Sequence, residues 1–415
     1  MALPQKPKLR RVLVSNGEHG GEPVVLVQDP ENDAPGVAVL PVRAASLLGL
    51  LDGVHDVASI ARRFAELSGE EVEEARVEAW IAGLDRALML EGDAIERAKR
   101  ARIAAYEGAA TRPMAFADRV YPAHPESCAE RLGAWLEQAT RAAEAAGEPT
   151  SGGEPAALFV PHVDYARGGA VYASAYQHLV AAEPADTYVI LGTLHASSRR
   201  QIILTSKDHE TPFGRLEVCK ESIARLRKRF GSQLFEEEFR HGTEHSIELQ
   251  AVWLAYLHRH FERKPRIVPI LCGSMFRWIR DGVPPSDQDN YTRFLALMWD
   301  VLRSVPGRVR IIAAGDLSHQ GPAHGDDDGI PEADMARHEA RDRRSLSALA
   351  TGDSARFFAD VAEDRDRRRI CGLSPGYAML RMLGGAVQGE VVGYGAALDS
   401  AGNRVSFGAV TYCSR

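Results

Sequence analysis

Three short apolar runs in this chain each lead directly into histidine or aspartate, and this arrangement limits the folds open to it. AALFVP leads into His162 and Asp164, and TYVILGTL leads into His195. VRIIAAG leads into Asp316 and, three residues later, His319. Short apolar runs that end in polar groups are typical of buried parallel strands, and ligands of open α/β sheets bind at the carboxyl ends of such strands. We therefore expect a metal or acid–base site where these strands end.

The segments around these runs predict an alternation of strands and helices from Ala156 onward. Helical spacing occurs in GGAVYASAYQHLVAA, HSIELQAVWLAYLHRHF and NYTRFLALMWDVLRSV, and RIVPILCG is a further strand. The chain closes with EVVGYGAALDSAGNRVSFGAVTY, which predicts a hairpin. Alternating strands and helices favour an α/β fold, so we predict a mixed, mostly parallel sheet flanked by helices.

The first part of the chain has a different organisation. VVLVQDPENDAPGVAVLPV predicts two strands around a turn, and three helical segments follow, one of them opening on Asp56 as N-cap. A β-ribbon followed by small helices indicates a winged-helix-like α+β domain. Residues 24–92 resemble the PqqD-like family of peptide-binding modules through LLDGVHDVASIARRF and GLDRALMLEG. A generic helical accessory domain is the alternative interpretation.

Seven motifs follow one another between about residue 112 and residue 415. They are RVYPAHPESCAERL, PHVDYARGGAVYASAY, ILGTLH, TPFGRLEV, EHSIELQ, GDLSH and ICGLSPGYAML. This ordered series resembles the Memo family, which includes the bacterial proteins called AmmeMemoRadiSam system protein B. The resemblance implies a fold shared with the class III extradiol dioxygenases. We accordingly expect a PqqD-like domain over 1–96, a linker or solvated helix over 97–113 and a Memo-like domain over 114–415.

The same resemblance implies a set of site residues. The metal ligands would be His162, His195 and Cys371. The pocket would also contain four candidate acid–base or supporting groups, which are Asp316, His319, Glu244 and His245.

The chain departs from the family pattern at two places. It has PHVDY where the family usually has PHAGY, which places an extra carboxylate, Asp164, beside the first expected ligand. We count Asp164 among the candidate catalytic groups. Many members also have a second histidine directly after the one in ILGTLH, and this chain has Ala196 there.

Two imidazoles and a thiolate suit a soft or borderline metal and leave a coordination position open. Iron or copper is the expected ion, with zinc as a further option. Non-heme iron oxygenases normally use two histidines and a carboxylate, and Asp316, Asp164 and Glu244 are the candidates for that carboxylate here. The resemblance implies, however, that Cys371 replaces the glutamate ligand of the dioxygenases, which argues against ordinary catechol cleavage. A metal-free site in which the thiol is the nucleophile stays open as an alternative.

Simpler interpretations exist for several of these residues. Glu244 or Thr243 can cap the helix that follows, and we expect Glu248 on the solvated face of that helix. The acidic run HGDDDG at 324–329 is expected to be a mobile loop over the pocket.

Composition narrows the function further. The net charge of -7 argues against a dedicated nucleic-acid binder. The composition also indicates a cytoplasmic protein. The five cysteines are scattered, the start of the sequence has no signal-peptide core, and no apolar stretch is long enough to span a membrane.

We predict a redox-active, oxygenase-like metal protein that acts on a small molecule or a peptide. The alternative is a non-catalytic adaptor of a radical-SAM-associated system that binds a peptide or protein partner through its first domain.

Overall fold

The computed structural model describes residues 3–414 with the exception of 32, 35, 70–71, 147–153, 263, 286–289 and 386. The chain forms two compact units, Met1–Gly108 and Ala109–Arg415. No helix in the described part of the chain has both the length and the hydropathy needed to cross a lipid bilayer.

The N-terminal unit is a three-stranded antiparallel sheet followed by helices. The sequence predicts the second and third strands, which pair as a hairpin, but not the first strand. The Asp56 carboxylate accepts a hydrogen bond from the Ser59 N–H, as expected of an N-cap. The elements are β1 (Leu13–His19), β2 (Glu22–Gln28), β3 (Val37–Pro41), a 3-10 helix (Val42–Leu50), α1 (Val57–Ser68), α2 (Glu74–Arg86) and α3 (Asp93–Gly108).

A buried aspartate, Asp29, fixes the loop between β2 and β3. Its carboxylate accepts hydrogen bonds from the N–H groups of Asp33 and Ala34, both at 2.8 Å, and of Glu31 at 3.0 Å. Arg10 Nη2 lies 3.1 Å from the same carboxylate. Burial raises the pKa of Asp29, but these N–H groups and the Arg10 charge outweigh burial and lower it below its usual value.

We expect Asp29→Asn to destabilise the N-terminal unit by about 1–3 kcal/mol at neutral pH, because an amide accepts fewer of these bonds. The folded pKa lies below the unfolded value of about 3.9, so the contribution of Asp29 is complete above about pH 4 and is lost as the pH falls through the folded pKa. Hydrogen exchange of peptides from residues 24–41 at pH 7 and pH 3 measures the effect. The exposed substitution Glu78→Gln is the control, and an equal loss of protection in wild type and Asp29→Asn between the two pH values would contradict this account.

The C-terminal unit is built on an eight-stranded mixed sheet in the order β11-β13-β5-β10-β6-β9-β7, with β12 paired to β13. Its strands are β5 (Pro155–Val160), β6 (Thr187–Thr193), β7 (Ile202–Leu204), β9 (Arg266–Cys272), β10 (Val309–Ala314), β11 (His319–Gln320), β12 (Val387–Leu398) and β13 (Arg404–Ser414). The short strands β4 (Thr111–Arg112) and β8 (Asp208–His209) pair separately. The four central strands β5, β10, β6 and β9 are parallel, and the strands on either side of them, β13 and β7, pair antiparallel with β5 and β9. The predicted mixed α/β sheet and the closing hairpin are confirmed.

Helices cover both faces of this sheet. They are α4 (Pro125–Ala146), α5 (Tyr165–Val180), α6 (Lys220–Phe230), α7 (Ser246–Leu257), α8 (Phe276–Asp281), α9 (Asn290–Arg303), α10 (Met335–Ala350), α11 (Ser354–Ala362) and α12 (Leu373–Leu383). Both α7 and α12 pack against β6, β9 and β10. Every residue of β6 is buried, as expected for a parallel strand with helices on both of its faces. The polar groups that follow such strands are therefore concentrated at the carboxyl edge.

Candidate metal centre

The carboxyl ends of three neighbouring strands bring polar side chains to one edge of the sheet. His162 follows β5, His195 follows β6 and Asp316 follows β10, each two residues beyond the end of its strand. Cys371 reaches the same place from the loop before α12. One donor atom each from His162, His195 and Cys371 lie within 4.8 Å of one another. The structure thus brings together the three residues that the resemblance implies as ligands.

Both imidazoles use Nδ1 for a hydrogen bond to a neighbouring oxygen, which leaves Nε2 as the nitrogen that could bind a metal. His162 Nδ1 lies 3.2 Å from the Ala314 carbonyl oxygen, so this nitrogen carries the proton and donates it. His162 Nε2 lies 3.2 Å from Cys371 Sγ. His195 Nδ1 lies 3.1 Å from both carboxylate oxygens of Glu244. Histidine ligands of metals usually donate their second nitrogen to a carbonyl or carboxylate in this way, so the donor set fits a metal ion.

Glu244 acts both as a cap of α7 and as a partner of two histidines. Its buried carboxylate accepts hydrogen bonds from the N–H groups of His195 at 3.0 Å, His245 at 2.9 Å and Ser246 at 3.1 Å. The His245 ring stacks on the His195 ring with centroids 4.9 Å apart. Burial opposes ionisation of Glu244, yet the neighbouring imidazoles and N–H groups hold its pKa well below the usual value. Glu244 therefore orients two rings as a buried anion.

The pKa values of the three imidazoles at this site are shifted in different directions. Burial lowers the pKa of His162 well below its usual value, with His195 and His245 adding to the effect. Burial also lowers the pKa of His245 to about 4. Burial opposes a charge on His195 as well, but the Glu244 carboxylate outweighs it and raises the His195 pKa. Neutral His162 has a lone pair available at Nε2, whereas His195 must release a proton to bind a metal.

Asp316 ties the loop after β5 to the cysteine. Its carboxylate accepts hydrogen bonds from the N–H groups of His162 at 2.9 Å and Val163 at 3.2 Å. Its own backbone N–H donates to Cys371 Sγ at 3.3 Å. Burial raises the pKa of Asp316 to about 7. Asp316 therefore fixes the position of the His162 loop relative to the Cys371 thiol.

Two further predicted residues lie beside the donor set. His319 Nδ1 is 3.2 Å from the carbonyl oxygens of Leu317 and Arg369, and burial lowers the His319 pKa to about 3. Asp164 caps α5, where it accepts hydrogen bonds from the backbone N–H of Arg167 at 3.0 Å and from its Nε at 2.6 Å. Asp164 lines the cavity but belongs to no donor cluster among the described residues, whereas His319 forms one with Asp316 and Cys371.

A cavity of about 700 Å3 opens in front of the histidines. Sequence reasoning missed the segment that forms one of its walls, which contains Phe116, Arg119 and Val120. The motif RVYPAHPESCAERL includes Arg119 and Val120, and it was the only sequence feature that pointed to this segment. A smaller cleft of about 210 Å3 is lined by His195 and Cys371.

The prediction that Glu248 lies on a solvated face is wrong. Its carboxylate is buried, pairs with Arg112 and accepts a hydrogen bond from the Tyr121 hydroxyl. It also accepts hydrogen bonds from the N–H groups of Ala115 at 3.1 Å and Phe116 at 2.9 Å. The reason is that α7 has no solvated face, since all of its residues except the last are buried. Glu248 instead fastens the wall segment of the cavity to α7.

The acidic run that was expected to be a mobile loop over the pocket lies beside the cavity, where His324 contributes to the lining. Asp326 forms a two-pronged ion pair with Arg369, with oxygen–nitrogen distances of 2.6 and 3.1 Å. It also accepts a hydrogen bond from the Gly321 N–H at 2.7 Å. This loop is thereby bound to the segment that leads into Cys371.

A mixed α/β sheet with histidine and cysteine donors gathered at its carboxyl edge defines the class of protein: an α/β protein with a candidate metal centre. Comparison with known families specifies it further. The family model described as Memo-like protein matches residues 112–414, and the chain belongs to the Memo family.

Several curated relatives resemble the chain. A MEMO1 family protein of Aquifex aeolicus is 24% identical over 351 residues, which cover 84% of this chain and 85% of the relative. A MEMO1 family protein of Methanosarcina barkeri is 28% identical over 236 residues, covering 56% of this chain and 76% of the relative. One from Methanopyrus kandleri is 25% identical over 299 residues, covering 70% and 94%. The family assignment agrees with the motif series in the sequence.

Proposed function

We propose that the chain binds one transition-metal ion through His162 Nε2, His195 Nε2 and Cys371 Sγ and acts as a redox-active metal protein on a substrate in the large cavity. The observation that carries the proposal is that one donor atom each from His162, His195 and Cys371 lie within 4.8 Å of one another, while Nδ1 of both imidazoles is occupied by a hydrogen bond to a neighbouring oxygen. Iron or copper suits a thiolate and two imidazoles, and zinc is the redox-inactive alternative. A bound ion with an open position would supply Lewis-acid or one-electron chemistry.

The surrounding residues would orient and protect this centre. Glu244 holds the His195 ring, and Asp316 holds the loop that contains His162. Asp316 and His319 line the cavity, where they can hold or pass a proton at the substrate. Burial of His162 and Asp316 keeps bulk water from one side of the site.

The environment of the thiol favours a metal over a metal-free nucleophile. Burial raises the pKa of Cys371, although a nucleophilic cysteine requires a lowered one. A metal ion stabilises the thiolate directly and removes this difficulty.

Metal analysis of protein purified without an affinity tag tests the proposal. We expect wild type to contain close to one metal ion per chain after loading, and His162→Ala, His195→Ala and Cys371→Ala each to lose most of it, because each removes one of three ligands. His124→Ala and Cys413→Ala, which alter a histidine and a cysteine outside the donor set, are the matched controls. Wild-type stoichiometry in all three ligand variants would rule out this site.

A further inference from the structure

We propose that the large cavity takes a small organic anion, with Arg119 and Arg167 binding the anionic group and the wall around Phe116 receiving the apolar body. The inference rests on the proposed function for the reacting end of the ligand, and it adds the chemical class of the substrate. It is carried by the charges and the apolar surface that surround the histidines.

Arg119 presents an uncompensated positive charge to the cavity. It lines the cavity, and its guanidinium lies over the Phe116 ring at 5.4 Å from the ring centroid. Among the described residues, no carboxylate forms an ion pair with it. An arginine stacked on an aromatic ring keeps its N–H groups free in the plane of the guanidinium, where they match a carboxylate or a phosphate.

The segment that bears Arg119 is held rigidly. Glu248 accepts hydrogen bonds from the N–H groups of Ala115 and Phe116, and the Arg119 and Val120 N–H groups both donate to the Phe116 carbonyl oxygen. These bonds fix the backbone from which Arg119 extends, so this backbone loses little entropy when a ligand binds. The segment therefore has the properties of a binding wall.

Arg167 supplies the second positive charge, from the first turn of α5. It lines the cavity and pairs with Asp164, with both side chains partly exposed to solvent. His162 and Asp316 line the same cavity, so the guanidinium faces the space in front of the candidate metal ligands.

The acidic groups at the rim are occupied by donors of their own. Asp399 accepts hydrogen bonds from the N–H groups of Ala401 and Asn403, both at 2.9 Å, and from Asn403 Nδ2 at 2.9 Å. Asp164 caps α5. These hydrogen bonds occupy the carboxylate oxygens, whereas Arg119 has no carboxylate partner among the described residues and its guanidinium lies over the Phe116 ring.

The body of the ligand would meet apolar surface. The side chains that form it come from both sides of the cavity: Phe116, Val120, Val163, Leu249, Leu398 and Val405. A cavity of about 700 Å3 falls within the range of small-molecule sites. Apolar walls and two guanidiniums together favour an organic anion over an inorganic one.

Ligand-observed NMR titration of metal-loaded protein tests the proposal with benzoate and benzamide, which match in shape and differ in charge, and with inorganic phosphate. We expect benzoate to bind about tenfold or more tightly than benzamide, because one charge-assisted hydrogen bond is enough to produce a difference of that size. Arg119→Met and Arg167→Met should each weaken benzoate binding and leave benzamide binding unchanged. Asp164→Asn retains an N-cap and frees Arg167, so it should strengthen benzoate binding.

Three results would overturn the proposal: no saturable benzoate binding, equal affinity for benzoate and benzamide, or a preference for benzoate that survives in the double arginine variant. Inorganic phosphate that binds as tightly as benzoate would also overturn it, because the apolar wall would then contribute nothing. Circular dichroism spectra confirm that these surface variants fold.

Metal analysis of wild type, combined with the same titration on wild type and on His162→Ala, separates this inference from the proposed function. If wild type binds no metal and both chains still prefer benzoate to benzamide, only the metal centre is contradicted. A wild-type metal content without benzoate selectivity would contradict the anion site alone.

Discussion

Glu248→Ala is expected to lower the free energy of unfolding of the C-terminal unit by about 3–5 kcal/mol, which is the usual cost of removing one partner of a buried ion pair. The Arg112 side chain is fully buried and would keep its charge without a counterion. The N–H groups of Ala115 and Phe116 would lose their acceptor as well. Urea denaturation followed by tryptophan fluorescence, to which Trp253 on α7 contributes, measures the loss.

The double variant Arg112→Met, Glu248→Met separates charge burial from packing. It removes both charges and keeps apolar volume, so it should recover a substantial part of the stability that Glu248→Ala loses. Glu236→Ala, at an exposed ion pair with Arg200, is the control and should change stability by less than about 1 kcal/mol. A loss from Glu248→Ala as small as that of the control would show that the buried cluster contributes little.

The strand-end residues could be predicted from the sequence because the pattern that identifies them is local. His162, His195 and Asp316 each follow an apolar run within two residues of the strand end. Parallel strands place such positions side by side, whatever the loops do afterwards. The hydrophobic pattern and the length of the apolar runs were therefore enough to predict this part of the site.

The place of Cys371 could not be derived locally, and only the family resemblance indicated it. Its sulfur meets the Asp316 N–H across a separation of 55 residues. That contact depends on a close approach of two glycines, since a Cβ on Gly315 would lie 2.2 Å from the Cα of Gly372. This close approach explains why the GDLSH and ICG motifs contain glycine at these two positions.

The error at Glu248 has a different physical origin. Helical periodicity assigns a polar residue to solvent only when the helix has a solvated face, and α7 has none. The cavity wall around Arg119 was also missed, because the segment is irregular and its position depends on that same buried carboxylate. The burial of Glu248 and the position of the Arg119 segment both depend on contacts between residues far apart in the chain. No local sequence pattern predicts such contacts.

Glu244→Gln is expected to weaken metal binding by about 10–100-fold, the usual effect of altering a group that orients a histidine ligand. Glu244 accepts hydrogen bonds from three backbone N–H groups and lies 3.1 Å from His195 Nδ1 through both oxygens. An amide offers one oxygen, so at least one backbone donor must lose its acceptor. Where the NH2 group faces His195, it donates to Nδ1 and moves the ring proton to Nε2, which removes the lone pair that would bind the metal.

Competition titration with a chelator of known affinity, on protein that is fully loaded at the start, measures this loss. Asp164→Asn is the matched control, because it makes the same carboxylate-to-amide change in the same cavity at a residue that caps α5. The control should keep its metal affinity within about twofold, since it alters no partner of a ligand. Equal affinities in wild type and Glu244→Gln, with the fold intact, would contradict the role of Glu244 in orienting His195 as a metal ligand.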